Sequence, residues 1–500
     1  SRLTRPLRRR PDGTYEEIDW DTAIAEVAAG LRRVADEHGG DTILYYGGGG
    51  QGNHLCGAYA TALRRTLGIT RRSNALAQEK TGEAWVEGRL FGTHTHGEFA
   101  EAQVAVFLGK NPWQSHGFDQ ARRILKEMAA DPERTLVVID PRRSETAAMA
   151  DLWLRPRPGT DACLLAAVIA VLVTDGLVDR AFCQERASGL EEVVAAFGDV
   201  PVDEFAHRCG VDRAAIEDFA RLLAGAESVS FYEDLGVQMA PHSTLVSYLQ
   251  RLCWLLTGHF ARPGCAAPHT TLAPIFDYSA SGAEPPTPVT GSPIISGLIA
   301  CNEIADTILT DHPDRTRALF IESANPVHSL AGSDRFRRAM RAADFSVVVD
   351  VAFTETAREA DYVLPAASQY EKAETTFFSA GFPENRAWVR RALFDPLGES
   401  LPEAEIHRRL IRALGVYGDD DVAPLHEAAR DGLEAYGAAF LGLAAERPDL
   451  AAAGAVVVYE TLGPTLPPGS AEAAVLWLSA HQLARRHPDA VRAAGHAGDG

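Results

Sequence analysis

An internal repeat constrains this 500-residue sequence more than any other feature. Its two copies, residues 106–151 and 319–361, share one pattern. An apolar segment leads to an Asn-Pro pair, a second apolar segment ends in Asp, and a Thr and an Ala-Asp pair follow. Thr146 and Asp151 follow Asp140 at the same spacing at which Thr356 and Asp361 follow Asp350. Each copy therefore predicts strand, turn, helix, strand, short helix and a further strand, the unit of a parallel α/β sheet.

The wider pattern extends this α/β prediction over residues 1–400, where helical and strand-like segments alternate. Helical spacing predicts a helix over residues 20–38, with Asp21 and Thr22 as candidate caps, and a buried helix over residues 163–173. Residues 268–293 are rich in Pro, Ser, Thr and Gly and predict a loop. After Pro396 the sequence predicts mainly helix. Short apolar runs predict strands at 41–46, 104–108, 136–139, 229–232, 318–321 and 347–349.

The repeated Asp is the first candidate for function. Asp140 and Asp350 end predicted parallel strands, and open α/β sheets bind ligands at this end, commonly through ribose hydroxyls. Two copies predict two similar nucleotide-bearing ligands, or one ligand with two-fold character. The alternative is a duplicated scaffold whose aspartates only cap helices.

A glycine-rich segment offers a second candidate. Gly47, Gly49 and Gly52 match the GxGxxG pattern, whose glycines let backbone N–H groups approach a phosphate. No acidic residue follows at the usual distance, but Arg71 and Arg72 stand there and suit a 2′-phosphate. The segment therefore predicts either an NADP site or a flexible turn.

Two shorter motifs have both a structural and a functional interpretation. Residues 158–161, Pro-Gly-Thr-Asp, precede a helix, so Thr160 or Asp161 is either a helix cap or a ligand contact. His94 and His96 form either a metal-binding pair or part of a surface loop, and the loop is the commoner case.

Composition excludes several classes of protein. The formal charge of −20 argues against nucleic-acid binding, because no basic excess is available to contact phosphates. The longest apolar run, residues 163–173, is too short to span a membrane. The seven cysteines include no CxxC pair, which argues against a disulfide scaffold or a close-spaced metal site and predicts a reducing, cytoplasmic environment. The first residue is Ser1, so we expect a piece of a longer chain, and an export signal ahead of it would change the location.

Taken together, motifs between Arg2 and Arg390 resemble the molybdopterin oxidoreductases of the dimethyl sulfoxide reductase superfamily. The opening Ile18-Asp19-Trp20-Asp21 and the turn at Thr257-Gly258-His259, where the family usually has Asn in place of His, are two of them. The others are Asp140-Pro141-Arg142, Thr146-Ala147, Ala150-Asp151, residues 158–161, Pro263-Gly264, Asn325-Pro326, Asp350, Thr354-Glu355-Thr356, Ala360-Asp361 and Val363-Leu364-Pro365.

The resemblance implies molybdenum or tungsten held by two molybdopterin guanine dinucleotides, one guanosine arm for each repeat. By analogy, Asp140 and Asp161 hold one guanosine and Asp350 holds the other. It also implies two interleaved Rossmann-like lobes with parallel sheets: 18–74 plus 271–395, and an inserted 75–270. They would follow an N-terminal remnant (1–17) and precede a mainly helical segment (396–500). The full set of expected cofactor-binding residues is Gly47, Gly49, Gly52, Gly109, Asn111, His116, Asp140, Arg142, Thr146, Asp161, Gly236, Asn325, Asp350 and Thr356.

The sequence departs from the family at the expected metal ligand. Formate dehydrogenases have Cys or selenocysteine followed by His where this chain has Gln78-Glu79, so Gln78 is the candidate ligand and formate oxidation is disfavoured. Glu79, Lys80 and His269 are the candidate catalytic groups, since a desolvated carboxylate or imidazole can exchange protons near neutral pH. The family's [4Fe-4S] cluster would bind ahead of Ser1.

The sequence therefore predicts the catalytic subunit of a formate-dehydrogenase-like oxidoreductase that acts on an unidentified small molecule and exchanges electrons with a redox partner. A metal-free electron-transfer scaffold, like the large iron–sulfur subunit of respiratory NADH dehydrogenase, is the alternative. An NADP-dependent enzyme is the third possibility, against which the repeat and the missing acidic residue argue.

Overall fold

The fold contains two main β-sheets with helices packed around them. The computed structural model describes residues 2–48, 50, 52–115, 117–268, 285–377, 388–493 and 495. The strands in chain order are β1 (Leu7–Arg9), β2 (Tyr15–Glu17), β3 (Ile43–Gly47), β4 (Arg71–Ser73), β5 (Thr95–Gly97), β6 (Val104–Leu108), β7 (Thr135–Ile139), β8 (Leu152–Leu154), β9 (Val229–Glu233), β10 (Ala266–Pro268), β11 (Ala318–Glu322), β12 (Phe345–Asp350), β13 (Tyr362–Pro365), β14 (Glu374–Thr375) and β15 (Val389–Arg390).

The larger sheet has seven strands in the order β2-β1-β13-β12-β11-β3-β4. Its five strands from β13 to β4 are parallel, and the β1–β2 hairpin adds an antiparallel edge. The smaller sheet has four parallel strands in the order β8-β7-β6-β9. The predicted α/β class with parallel sheets is therefore confirmed.

The two sheets repeat one arrangement of four strands. The order β8-β7-β6-β9 in the smaller sheet corresponds to β13-β12-β11-β3 in the larger one. The repeat supplies β6, β7 and β8 in one copy and β11, β12 and β13 in the other. Strands β9 and β3 take equivalent places, although no sequence similarity linked them. The ends of β6, β7, β11 and β12 carry the Asn and Asp residues of the repeat.

The helices pack around these two sheets. The helices before β10 are α1 (Trp20–His38), α2 (Cys56–Leu67), α3 (Leu76–Glu79), α4 (Thr81–Leu90), α5 (Ala121–Ala130), α6 (Asp161–Thr174), α7 (Arg180–Arg186), α8 (Leu190–Gly198), α9 (Val202–Cys209), α10 (Arg213–Gly225), α11 (Leu235–Gln238) and α12 (Ser243–Leu256). The others are α13 (Ile304–Leu309), α14 (Pro326–Ser329), α15 (Ser333–Ala342), α16 (Glu403–Ala413), α17 (Asp419–Asp431), α18 (Leu433–Glu446), α19 (Pro448–Ala452), α20 (Gly454–Thr461), α21 (Val475–Arg486) and α22 (Pro488–Ala493).

Apolar spacing explains the two most accurate helix predictions. Helix α1 buries Ala23, Val27, Leu31 and Val34, which lie on one face at helical spacing. Its cap is Asp19, whose carboxylate accepts the backbone N–H of Thr22, so the predicted caps at the following positions were wrong. Helix α6 is almost entirely buried against the smaller sheet, as its unbroken apolar run predicted.

The hydrophobic cores follow the sheets. Helices α1 and α2 and the later helices α16–α21 share a core with one face of the larger sheet, while α13 and α15 cover its other face. Helices α6–α10 and α12 cover one face of the smaller sheet. All strands of the smaller sheet lie within residues 75–270, which supports the predicted interleaving, although the lobe boundaries remain a prediction. The described part of residues 396–500 is helical.

Two composition-based predictions concern the whole chain. All seven cysteines are free, and six of them are buried. Among the described residues, no helix combines the length and the apolar character that crossing a membrane requires.

Candidate functional site

The candidate site lies where the carboxyl ends of the two parallel sheets face helix α3. Glu79 ends α3, and its carboxylate is close enough to Tyr46, near the end of β3, to raise the pKa of that phenol in addition to the larger effect of burial. Asp234, just after β9 in the other sheet, acts in turn on Glu79. The turn that carries Gln78, Glu79 and Lys80 therefore sits between the two carboxyl edges, by which we mean the sheet edges where the parallel strands end.

The repeat forms the same pair of hydrogen bonds at both edges. Asn111 Oδ1 accepts the Thr146 hydroxyl at 2.6 Å and the Thr146 backbone N–H at 3.3 Å. Asn325 Oδ1 accepts the equivalent groups of Thr356 at 2.7 and 3.2 Å. We call these pairs the Asn–Thr bridges. Both threonines are fully buried, so we interpret them as residues that hold the Asn-Pro turns, although the sequence suggested direct cofactor contact.

The two aspartates of each repeat have different roles. The second one, Asp151 or Asp361, accepts a backbone N–H at 2.8 Å from the start of the neighbouring strand, at Leu136 or Ser346 respectively. It therefore joins adjacent strands. The first one, Asp140 or Asp350, accepts the backbone N–H of Arg142 or Ala352 in the turn that follows its strand.

Asp140, Asp161 and Asp350 are carboxylates without ion-pair partners among the described residues. Burial raises the pKa of Asp350 to about 6 and raises the pKa values of Asp140 and Asp161 as well. The charge of Asp140 adds to the effect on Asp161, which places the two in one cluster. Carboxylates in such desolvated positions are suited to accept N–H donors from a ligand.

The interpretation of the Pro-Gly-Thr-Asp motif as a helix cap is not supported, because no side chain caps α6. Thr160 stands at the cap position of α6, but its hydroxyl donates to the carbonyl of Arg157 instead of capping the helix. Asp161 is the first residue of α6, and it is buried. Its carboxylate is therefore not used as a helix cap.

Close backbone packing explains Gly109 and Gly236. Gly109 has φ +58°, and a Cβ on it would lie 2.8 Å from the backbone nitrogen of Val237. A Cβ on Gly236 would lie 2.6 Å from the Cα of Gly109. The ends of β6 and β9 touch through these two glycines. Ser323 occupies the place of Gly109 in the other repeat and keeps a positive φ of 52°.

The geometry contradicts the NADP alternative. Arg71 donates to the carbonyl of Asp314 at 2.7 Å, and Arg72 donates to the carbonyls of Gly297 and Ser296 at 3.0 and 3.1 Å. Neither guanidinium is directed to a 2′-phosphate. Helix α2 starts at Cys56, four residues after Gly52. Gly47 and Gly52 remain near the carboxyl edge of the larger sheet.

Lys80 is a fixed cation. Its ammonium lies 3.0 Å from Asp234 and 3.1 Å from Glu83. Although burial alone would lower the pKa of Lys80, these carboxylates hold it well above its ordinary value. Lys80 therefore stays charged, which disfavours its predicted role in proton exchange. Burial raises the pKa of Glu79, as a proton-exchanging carboxylate requires.

The remaining predicted residues have simpler outcomes. Gln78 is half-buried on α3, and Arg142 is exposed beside Glu145. His94 and His96 bind different partners, Glu87 and the carbonyl of Gly97, so they do not form a metal pair with each other. The three others, Gly49, His116 and His269, lie outside the described residues.

A buried ionic cluster in the larger sheet was not predicted. Lys372 contacts Glu403 and lies 3.3 Å from Glu374. Glu374 accepts the N–H of Leu55 beside the glycine-rich loop, and burial raises the pKa of Glu374 to about 7. Glu403 also accepts the hydroxyl of Ser323 at 3.2 Å. No periodic pattern marks these residues, because tertiary contacts bring them together from separate segments.

Two similar parallel sheets with acidic residues at their carboxyl edges define a duplicated α/β protein. Residues 2–413 match the family described as molybdopterin oxidoreductase, and the chain belongs to this family. The sequence-based identification is therefore confirmed at the level of the family.

Relatives within the family differ in name. The alpha subunit of F420-dependent formate dehydrogenase from Methanocaldococcus jannaschii is 28% identical over 434 residues, which cover 84% of this chain and 63% of that protein. Acetylene hydratase from Syntrophotalea acetylenica is 25% identical over 476 residues, which cover 87% and 61%. This chain therefore spans about three fifths of the length of these relatives.

A solved structure shows the same fold. Acetylene hydratase from Pelobacter acetylenicus superposes with a TM-score of 0.70 at 24% sequence identity, covering 83% of this chain and 61% of that chain. This similarity supports the fold.

Proposed function

We propose that the chain is the catalytic subunit of a molybdenum or tungsten oxidoreductase that carries two molybdopterin guanine dinucleotides and transforms a small molecule. The observation that carries this proposal is the duplicated carboxyl edge. Both sheets carry an equivalent strand end, Asn–Thr bridge and Asp. The carboxylate of Glu79 interacts with Tyr46 near the end of β3 in one sheet and with Asp234 after β9 in the other.

The residues present fit a dinucleotide with guanine at its end. Guanine offers adjacent N–H donors, and burial is the largest cause of the raised pKa values of the carboxylates Asp140, Asp161 and Asp350. Asp140 and Asp161 would hold one guanosine and Asp350 the other. The glycines at 47, 52, 109 and 236 would lie along the phosphates, with Asn111, Asn325 and Arg142 nearby.

The protein's own side chains would then bind the substrate and move protons. When bound, the cofactor supplies two-electron chemistry at its metal. Burial raises the pKa of Glu79, which suits its carboxylate to take up and release a proton. Lys80 provides a fixed positive charge at the neighbouring position. Gln78, half-buried on α3, would be the protein ligand of the metal.

The name of one relative indicates that it works with other subunits. That relative is an alpha subunit, and we propose that this chain also works with an electron-transfer partner, in the cytoplasm. A [4Fe-4S] cluster in the natural protein belongs to the same proposal. The names formate dehydrogenase and acetylene hydratase denote different reactions, so the substrate is not inferred from them.

Elemental analysis with pterin quantitation tests the proposal. The natural protein, purified from a host that makes guanine dinucleotide cofactors, is expected to contain roughly one molybdenum or tungsten ion and two pterins per chain. A folded protein with neither would contradict the proposal and favour the electron-transfer scaffold. Pterin without metal would contradict the redox reaction.

Single substitutions test the two guanosine positions separately. Asp140→Ala and Asp350→Ala are each expected to lower pterin content while leaving the fold intact, because each removes the acceptor for one arm. Circular dichroism and pterin quantitation measure the two effects. Asp12→Ala is the control, since Asp12 is exposed on the hairpin loop far from either edge, and its pterin content should not change. Full pterin content in both test variants would refute the two-arm assignment.

A further inference from the structure

A buried network of charged side chains extends from Lys80 away from the candidate site. Arg251 of α12 lies at its centre, 2.6 Å from Glu233 and 2.9 Å from Glu87. Glu83 bridges Arg251 and Lys80, at 3.8 and 3.1 Å. The full network, which we call the α4 cluster, comprises Lys80, Glu83, Glu87, His94, Lys110, Glu233, Asp234 and Arg251.

The α4 cluster is one positive charge short. It contains four carboxylates, at positions 83, 87, 233 and 234, and three basic side chains, Lys80, Lys110 and Arg251. Buried charge without compensation is costly, so the cluster favours uptake of one proton. Burial also raises the pKa of Glu233, but that carboxylate is enclosed, so His94, which contacts Glu87 and is partly exposed, is the member best placed to exchange a proton with solvent.

The electrostatics of His94 agree with this charge count. Burial and the nearby Arg251 would lower its pKa, but Glu87 and Glu83 together raise it above 6.5. His96 is the other titratable group facing it, and burial lowers the pKa of His96, so His96 stays neutral. Glu87 has a strongly lowered pKa, since His94 and Arg251 outweigh its burial, and it remains an anion that orients the imidazole.

Glu83 and His94 are also close enough to exchange a proton. The ligand atoms of Glu83, Glu87 and His94 all lie within 4.8 Å of one another, a separation that one water can bridge. Such a set could also suit a metal ion, but Arg251 and Lys80 already contact its carboxylates and oppose a second cation. On the side of the candidate site, Glu83 contacts Lys80, which follows Glu79. On the opposite side, the His94 side chain is 28% exposed to solvent.

We propose that Glu83 and His94 form a proton relay between the α3 turn and the protein surface, with Glu87 as a positioning residue. The imidazolium of His94 first releases a proton to solvent, which breaks one N–H bond. A proton arriving at Glu83 then passes to the neutral imidazole, so that one O–H bond breaks and one N–H bond forms, and no electron moves in either step. The relay rests on the proposed function, because the redox reaction supplies the proton.

The first experiment follows His94 directly by NMR of the protein with labelled histidine. In the unmodified chain the His94 imidazole is expected to titrate above pH 6.5. Glu83→Gln should lower that midpoint, because it removes one of the four carboxylates and balances the cluster. An ordinary midpoint near 6.5 that does not respond to Glu83→Gln would overturn the relay, whether or not the protein contains cofactor.

The second experiment measures turnover with an artificial electron acceptor as a function of pH. His94→Gln is expected to slow turnover about 10-fold or more at unchanged metal and pterin content, with partial recovery when imidazole is added. His312→Gln is the matched control, because His312 is similarly exposed and lies 3.8 Å from Asp314. An unchanged pH profile in His94→Gln would overturn the relay. The absence of metal and pterin from the unmodified protein would overturn the proposed function instead.

Discussion

At the scale of single residues, the aspartates of the repeat look alike in sequence but differ in environment. Asp350 is 9% exposed and has no ion-pair partner among the side chains that the structure describes. Asp361, the second aspartate of the same copy, accepts the backbone N–H and the hydroxyl of Ser346 at 2.8 and 3.0 Å. The first is available to a ligand, and the second holds two strands together.

The two aspartates should therefore respond oppositely to substitution. The pKa of Asp350 is about 6 in the folded chain and 3.8 ordinarily, so the folded state binds more protons and stability falls as pH rises from about 4 to 6. Asp350→Asn is expected to stabilise the cofactor-free chain by about 2 kcal/mol at pH 8, where the unmodified carboxylate is charged, and to have little effect near pH 4. Asp361→Ala should destabilise it by roughly 1–3 kcal/mol at pH 8. Urea unfolding at both pH values measures the effects, and the same sign for both variants at pH 8 would contradict the distinction.

At the scale of elements, the Asn–Thr bridges connect the turn after one strand to the segment after the next. In the larger sheet the Thr356 hydroxyl also accepts the backbone N–H of Val327, at the start of α14. In the smaller sheet the Thr146 hydroxyl accepts the N–H of Trp113. Each buried hydroxyl thus satisfies two groups that have no access to water.

Replacing either threonine by valine tests these bridges at nearly constant volume. Thr146→Val and Thr356→Val are each expected to destabilise the chain by about 1–3 kcal/mol, because a buried N–H and an amide oxygen lose their partner. Thr61→Val is the control, since Thr61 bonds only within its own exposed helical turn. The urea midpoint reports stability. Additive effects in the double variant are expected, because the bridges share no partners.

At the scale of the whole molecule, the two sheets have separate cores. The Lys372–Glu374–Glu403 cluster belongs to the larger sheet and its later helices. The carboxylates of Glu87 and Glu233, which contact Arg251, belong to the smaller sheet. A substitution in either cluster therefore tests whether that sheet and its helices unfold independently of the other sheet.

Lys372→Met should loosen only the unit built on the larger sheet. The substitution leaves Glu374 and Glu403 buried without their cation, which is expected to destabilise the unit by about 3–5 kcal/mol. Hydrogen exchange should then rise in β3, β11 and β12 while β6, β7 and β9 stay protected. Lys126→Met, on the surface helix α5, serves as the control. Equal loss of protection in both sheets would contradict the predicted lobes.

The sequence predicted the elements of the fold well because their signals are local. Apolar runs identified strands β6, β7, β9, β11 and β12 with only small errors at their ends, and helical spacing identified α1. The repeat also located the two carboxyl edges, since its Asn and Asp residues keep their places in both copies. The sequence did not reveal strands β1, β2 and β4, which are short and partly polar.

Only the tertiary structure decided which polar residues share a site. Local sequence could not show that Arg71 and Arg72 donate to distant carbonyls, or that Thr146 is enclosed while Asp140 remains available. The α4 cluster joins residues that are far apart in the chain, such as Lys80 and Asp234, and its missing positive charge is visible only once the burial of every member is known. Periodicity records which face of an element is buried, whereas the pairing of charges depends on how those elements pack in three dimensions.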